Sequence, residues 1–504
     1  MTKASFGASR APARPFQPAS LEGLSYVGRV TPRDAWVWLW LEGPRDGWVD
    51  LHGPHGVQTR SVQLVPDPAS GPGPAVVRLR EVGFELVHDR SYEVVWRGPG
   101  GHVARCRFRT PPRDDDDREI VLGVLSCHNP FEEDGSYHQP SMDFLEALPD
   151  ALEAHGVEQL MLMGDQMYTD LPFDLSLFDD DYFATVAPPG RRAFLHCSRH
   201  EVRQLVRQRY EIFWAHPAWR ALLGRFSSSM ICDDHEIVDN WGSDPRHGGR
   251  DWQRVRDGAL DAFHDMQGRA RFLARPDDFG HRYRWGRVAL LVPDLRSHRR
   301  YVGDEEIDIL GPGEERLRRW LSETTGCSTV VLVLSVPLAH VPDVLVDVAK
   351  KVEGEGGDVA DRWSHAPARG ARDRLIEMLR AHQRAHPEQR LVLVGGDMHV
   401  GALFRLQWDD DELPDALQLV SSAVSNEQGP WAKVLAKVPP RTSHRMGADQ
   451  ELCVELMKEV PAYGGLNVGL LHLRRGDDGL DAVRMQLLGY GASGIEVVID
   501  SDWR

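Results

Sequence analysis

Residues 160–163 read LMLM and run directly into Gly164, after which Asp165, Tyr168 and Asp170 follow within six positions. A short apolar run broken by glycine and then acid is how open α/β sheets present chemistry, at the carboxyl end of a strand. Taken alone, the stretch is equally a strand ending in a solvated turn. Repetition decides between the two. Apolar runs also lead into SCHN at 126–129, DDHE at 233–236, DLR at 294–296 and DMH at 397–399. Between predicted strands at 120–125 and 160–163, residues 141–155 place Phe144, Leu145, Leu148 and Leu152 on one helical face. A strand–helix–strand unit of this kind crosses over right-handed and pairs its strands in parallel.

The remaining pattern divides the chain. Residues 1–20 are rich in Pro, Ala and Ser and predict a flexible or draped arm. From 21 to 110 short strands alternate with Gly/Pro turns, which predicts a β-sandwich. Candidate strands there lie at 62–65, 75–79, 84–87, 92–96 and 105–109. AWVWLWL at 35–41 is too apolar for a strand wetted on one face. PPRDDDDR at 111–118 is a linker, its aspartates a solvated spacer. The large domain, 119–504, predicts an α/β fold of layered αββα type. Within it 171–228 is a helical insertion, and helices are expected at 260–272, after Gly311-Pro312, at 372–386 and at 449–459. Strands are expected at 288–292, 329–334, 391–394 and 417–420, with antiparallel strands at 469–474, 482–488 and 495–499.

Composition excludes several classes. A net charge of −17 argues against a nonspecific nucleic-acid surface, although bound cations can reverse the field locally. The six cysteines include no C-x-x-C pair, and they are too sparse for a disulfide scaffold. Cys197, Cys327 and Cys453 are expected to act as small hydrophobes. The N-terminus has neither an apolar signal core nor adjacent arginines, and no apolar run approaches the roughly 18 residues that span a bilayer. A cytoplasmic protein is the expectation, with a secreted mature form left open. There is no P-loop, no nucleophile elbow and no dinucleotide fingerprint.

Four loops carry the donors that hard or borderline metals select. Cys127 and His128 follow one strand, and Asp165 and Tyr168 the next. Asp234, His235 and Glu236 follow a third, and Asp397 and His399 a fourth. Arg296 has the planar fork that suits a phosphoryl group, with a salt bridge to Asp294 as its structural rival. His128 reads as a supporting residue, Asn240 and Trp241 as braces of the DDHE loop, and Asp170 as a loop-bracing carboxylate.

The ordered set SCH, GDQMYTD, DDHEIVDNW, DLRSHR, LGPGEERLRRWL, GGDMHVG and SSAVSN resembles the PhoD-type alkaline phosphatases of the calcineurin-like metallophosphoesterase superfamily. The match spans most of 119–430, and the preceding sandwich resembles that family's N-terminal domain. The resemblance implies a phosphomonoesterase in which water held between two metals attacks phosphorus in line. Fe3+ with Ca2+ is the favoured pair, with Mn2+ or Mg2+ as alternatives. It implies Asp165 as the bridging carboxylate, Tyr168, Cys127 and His399 on iron, and Asp234 and Asp397 on the second metal. His235 would protonate the leaving group and Arg296 would hold phosphate, with His128, Glu236, Asn240 and Asp294 in supporting positions. Asp397 stands where the superfamily has a histidine. The histidine usual after the strand at 329–334 is also missing: Ser335 occupies that place, and His340 lies further on. A phosphodiesterase and a noncatalytic metal-binding paralogue are the alternatives. The expected partner is a small phosphoester, shaped by 171–228 and 341–370, where Lys350, Lys351 and Arg362 near Trp363 suggest a gate. Oligomeric state is not legible.

Overall fold

The computed structural model describes residues 16–67, 72–303, 305–339, 342–343, 346–347, 358–410, 412–426, 441–446, 450–457, 462–476, 480–491 and 494–504. Two sheets face one another. The first has six strands in the order Ser227–Met230, Gln159–Leu162, Ile120–Leu125, Asn467–Arg475, Asp481–Gly491, Gly494–Asp500. Its first three strands are parallel and its last three antiparallel. The second has eight, in the order His281–Trp285, Val288–Val292, Thr329–Val333, Arg390–Gly395, Ala416–Val420, Ala402–Gln407, Gln450–Leu456, Arg441–Met446. Its parallel centre runs from Val288–Val292 to Ala416–Val420.

Leu122, Val124 and Met161 of one sheet share a core with Val331, Val392 and Leu419 of the other. Helices Gln139–Ala154, Arg199–Phe213, Pro217–Arg225 and Arg250–Phe263 cover the outer face of the first sheet, and Gly313–Ser322 and Arg369–Ala385 that of the second. With both faces covered, the central strands are buried at every position, which is why they read as unbroken apolar runs. The fold is the expected αββα sandwich. Among the described residues no helix is long and apolar enough to cross a membrane.

Ahead of it stand a three-stranded sheet (Ser25–Thr31, Asp34–Leu41, Gly73–Arg78) and a four-stranded one (Gly56–Leu64, Arg45–Gly53, Ser91–Arg97, Val103–Arg109). The tryptophan strand explains the junction. Val37, Leu39 and Leu41 point into the sandwich, whereas Trp38 and Trp40 join the helical layer of the large domain. Trp38 Nε1 donates to the carbonyl of Asp265 at 2.8 Å, and Tyr26 Oη to that of Met266 at 2.7 Å. Phe16 is also buried, edge-on to Phe131.

Four of the differences from the sequence expectation have a clear physical reason. Residues 84–87 form no strand: Phe84 and Leu86 are buried, but the chain turns there, and Val87 N–H donates to the Tyr92 hydroxyl. Arg45–Gly53 is a strand whose alternation is masked by buried Asp50, which pairs with Arg97. The helix expected at 260–272 runs instead over Arg250–Phe263 and ends in a π turn, His264–Gly268. The helix expected at 449–459 is the strand Gln450–Leu456, where Leu452 and Val454 are buried and Cys453 is half-buried between them, a period of two.

The aromatic dock predicts that the two modules unfold together. Trp38→Ala should cost about 3–5 kcal/mol, as buried aromatic truncations do. Denaturant unfolding should keep one transition with a lowered midpoint, whereas a second early transition confined to the sandwich would contradict a shared core.

Candidate metal centre

The site lies where loops leave the carboxyl ends of parallel strands from both sheets. The loop after Gln159–Leu162 turns at Gly164 with φ of +98°, and a Cβ there would sit 2.2 Å from Cβ of Asp233. The 164 and 233 loops therefore touch. Glu236 stitches them: it accepts from the backbone N–H of Asp165 at 3.0 Å, Gln166 at 2.8 Å and Asp233 at 2.8 Å. Burial pushes its carboxyl up to about 7 against the pull of those three donors. Glu236 is thus consumed by the loops. Cys127, Asp165, Asn240, Asp397 and His399 all adopt positive φ, a conformation that disfavours side chains. Such strain persists where surrounding structure over-determines it, and here it clusters on the donor loops.

Asp165, Asp233, Asp234 and Asp397 converge, with one carboxylate oxygen of each lying within 4.8 Å of the others. Asp165, Asp234 and His235 form a second such group. Asp233 Oδ2 and Asp234 Oδ1 are buried and accept no hydrogen bond. Burial, then Cys127 and Asp234, raise the Asp165 carboxyl well above its usual range. So many buried carboxylates cannot all ionise without cations between them. The donor set fits metal: the four-carboxylate group is all oxygen, and the second group adds the His235 ring. Asp233 was not singled out as a ligand from sequence, although the DD doublet carried the signal.

Cys127 lies against Asp165, and Asn426 links Tyr168 to His399. Cys127 Sγ is 3.4 Å from Asp165 Oδ2 and accepts from Ser422 Oγ at 3.1 Å. The Asn426 amide nitrogen lies 3.4 Å from Tyr168 Oη and 3.3 Å from His399 Nε2. Burial pushes the Cys127 thiol up to about 11, and burial and Cys127 raise the Tyr168 phenol well above 10. Both side chains need a nearby cation to ionise. Asn426, the last residue of the SSAVSN motif, is a member the sequence did not assign.

His128 does not join the donors. Its ring stacks on Trp219 with centroids 3.8 Å apart, and bonds Ser425 Oγ at 2.8 Å and the Phe213 carbonyl at 3.1 Å. Burial lowers its pKa to about 3, so it is a neutral strut behind Ser425 and Asn426.

His235 is paired. Its Nδ1 lies 2.8 Å from Asp170 Oδ1, and the other Asp170 oxygen accepts from Asp239 N–H at 2.6 Å. Burial opposes the charged ring, but Asp170 and then Asp234 outweigh it and hold the pKa well above 6.5. Asp170 is therefore more than a loop brace: it holds the His235 ring through Nδ1 and raises its pKa.

Arg296 departs from its expected place on phosphate. It is fully buried, with Nε on Asp233, Nη1 on the Trp241 carbonyl and Asp361, and Nη2 on Asp361 at 2.6 Å. Asp234 Oδ1 stands 3.7 Å away. Its fork is committed to loop carboxylates, and not to Asp294, the rival partner that the sequence offered. Asp294 is itself consumed, accepting from the N–H groups of Phe279, Arg296 and Ser297 at 2.9 Å each. Asn240 N–H donates to Asp234 Oδ2 at 2.6 Å. Arg362 forms an ion pair with Asp397 at the rim of the cluster. Trp363 is buried, donating to the Val336 carbonyl at 3.2 Å, so it anchors this segment. His340, Lys350 and Lys351 lie outside the described residues.

A family model described as PhoD-like phosphatase matches residues 122–459. No curated protein matches the chain. Among solved structures, one titled as PhoD superposes with a TM-score of 0.61 at 13% identity, over 97% of this chain and 94% of that one. The purple acid phosphatase PPD1 from yellow lupin seeds superposes at 0.54 and 10% identity, over 94% of this chain and 73% of its own. At these identities the superpositions show a shared fold.

The contact between the 164 and 233 loops gives a direct prediction. Gly164→Ala adds strain at positive φ and a clash with Asp233, and should separate Asp165 from its neighbours. Metal content by elemental analysis should fall while far-ultraviolet circular dichroism stays unchanged. Full metal retention would show that the two loops need not touch.

Proposed function

Because the chain belongs to the PhoD-like phosphatase family, and so is a metal-dependent phosphoric ester hydrolase, we propose that it is a phosphomonoesterase built on two cations that share Asp165. The observation that carries this is the convergence of Asp165, Asp233, Asp234 and Asp397, with buried carboxylate oxygens left unpaired. Cys127, Tyr168 and His399 would hold one metal, and Asp233, Asp234 and Asp397 the other. Thiolate and phenolate favour ferric iron on the first side; an all-oxygen set favours Ca2+, Mn2+ or Mg2+ on the second. When bound, the pair neutralises phosphoryl oxygens and makes water acidic enough to serve as nucleophile.

The chain's own groups do the rest. His235, kept protonated by Asp170, donates its proton to the departing alkoxide. Asp170 takes the Nδ1 side of the ring, which leaves Nε2, 3.9 Å from Asp239 Oδ1, as the nitrogen that would give up the proton. Arg362, like Arg296, is engaged by a carboxylate, here Asp397 at the rim of the cluster. Arg296 holds Asp233 and leaves phosphate to other groups. Glu236, Asn240 and His128 keep the loops in register.

His235→Gln should lower kcat/KM on an alkyl phosphate by about 10²–10⁴-fold, the usual span for a lost general acid, and much less on p-nitrophenyl phosphate, whose leaving group needs no proton. Equal losses on both would remove His235 from the acid role. Asp170 raises the histidine's pKa, so Asp170→Asn should move the alkaline limb of the pH–rate profile to lower pH. Bis(p-nitrophenyl) phosphate serves as the diester comparison, and faster turnover there than on the monoester would make the enzyme a diesterase. A ferric phenolate at Tyr168 should colour the purified protein, with the band lost in Tyr168→Phe. A fully active, colourless and iron-free enzyme would overturn the iron assignment.

A further inference from the structure

The strand Ser25–Thr31 crosses the large domain just beyond the π turn, where Arg29 N–H donates to the Ala270 carbonyl at 2.8 Å. Between this crossing and the strand His281–Trp285 lies a crevice of about 500 Å³ lined by Arg29, Arg271, Arg282, Arg284 and Tyr283. Four arginines around one cavity stand out in a chain of net charge −17. Two are answered: Arg282 pairs with Glu323, and Arg284 with Asp114 at 3.2 Å. For Arg29 and Arg271 no carboxylate partner occurs among the described residues. Arg29 instead lies over Trp36 at 5.3 Å, and Arg271 over Tyr283 at 5.0 Å. Arg271 Nη2 is buried without an acceptor. Burial lowers the Arg271 pKa to about 10, and Arg29 across the crevice adds to that effect.

A half-buried cation facing a like charge is costly unless something anionic completes it. We propose that this crevice binds a phosphate-bearing anion bridged between Arg29 and Arg271, at a site separate from the catalytic loops. Planar guanidinium forks match tetrahedral oxyanions through paired N–H donors, and two of them call for a ligand of at least two negative charges. The volume exceeds one phosphate, so the ligand is either free phosphate or one end of a longer phosphorylated chain. Domain junctions are common places for such sites. No crevice residue belongs to the carboxylate cluster, so the inference stands apart from the phosphomonoesterase reading.

The test is equilibrium dialysis of the metal-loaded protein with inorganic phosphate and, separately, with methylenediphosphonate, at ionic strength matched with NaCl. Wild type should bind one more equivalent than Arg29→Gln or Arg271→Gln, and p-nitrophenyl phosphate turnover should be the same in all three. Arg29 is exposed, so its variant folds even if Arg271→Gln does not. The extra equivalent appearing with both probes identifies free phosphate as sufficient; its appearance with methylenediphosphonate alone identifies a phosphorylated chain. At about 100 times Kd the bound anion should also raise the wild-type Tm by about 2–3 °C more than that of Arg29→Gln. Equal stoichiometry in wild type and Arg29→Gln with both anions overturns the site.

Discussion

Buried negative charge is the constraint on which the rest of this molecule depends. Four carboxylates whose oxygens come within 4.8 Å of one another, beside a thiol and a phenol, form a site that strains itself electrostatically. The fold answers by fixing the backbone that carries them. Glu236 ties three N–H groups of two loops to one carboxylate, and Asn240 N–H holds Asp234. Positive φ at Cys127, Asp165, Asp397 and His399 is tolerated because both sheets hold the loop ends rigidly.

Arg296 serves the same end from beneath. Burial of Asp361 pushes its carboxyl up, and Arg296 and Arg299 overcome this to hold it well below its usual range. Burial raises Asp233 to about 6 in spite of Arg296. This buried network of two arginines and two aspartates joins the 233 loop, the 296 loop and the 361 segment, so its value is positional. The sandwich contributes at longer range. By burying Trp38 and Trp40 against the helical layer, it backs the helix Arg199–Phe213, whose Arg209 in turn donates to the carbonyl of Tyr168 at 2.9 Å.

What could be read from the sequence was whatever is local. GDQMYTD announces a strand end with a carboxylate, and continuous apolar runs announce doubly covered strands. Asp170 could not be read, because its partner His235 lies 65 residues away. Arg296 looked like a phosphate fork because its true partner, Asp361, sits in a segment with no signature of its own. The Asp233–Asp234 doublet marked the loop, and the folded turn shows that both enter the cluster. The strands Arg45–Gly53 and Gln450–Leu456 were obscured by a buried acid and by an apolar pattern that also suits a helix.

The central claim is that Asp165 is shared by two cations. The most direct measurement is metal stoichiometry per chain, by elemental analysis after exhaustive dialysis, for wild type and Asp165→Asn. The account predicts two bound metals in wild type and the loss of both sites together in the variant, with its circular dichroism unchanged. A variant that keeps one metal at full occupancy, or a wild type that hydrolyses phosphoesters at full rate with no metal bound, would contradict it.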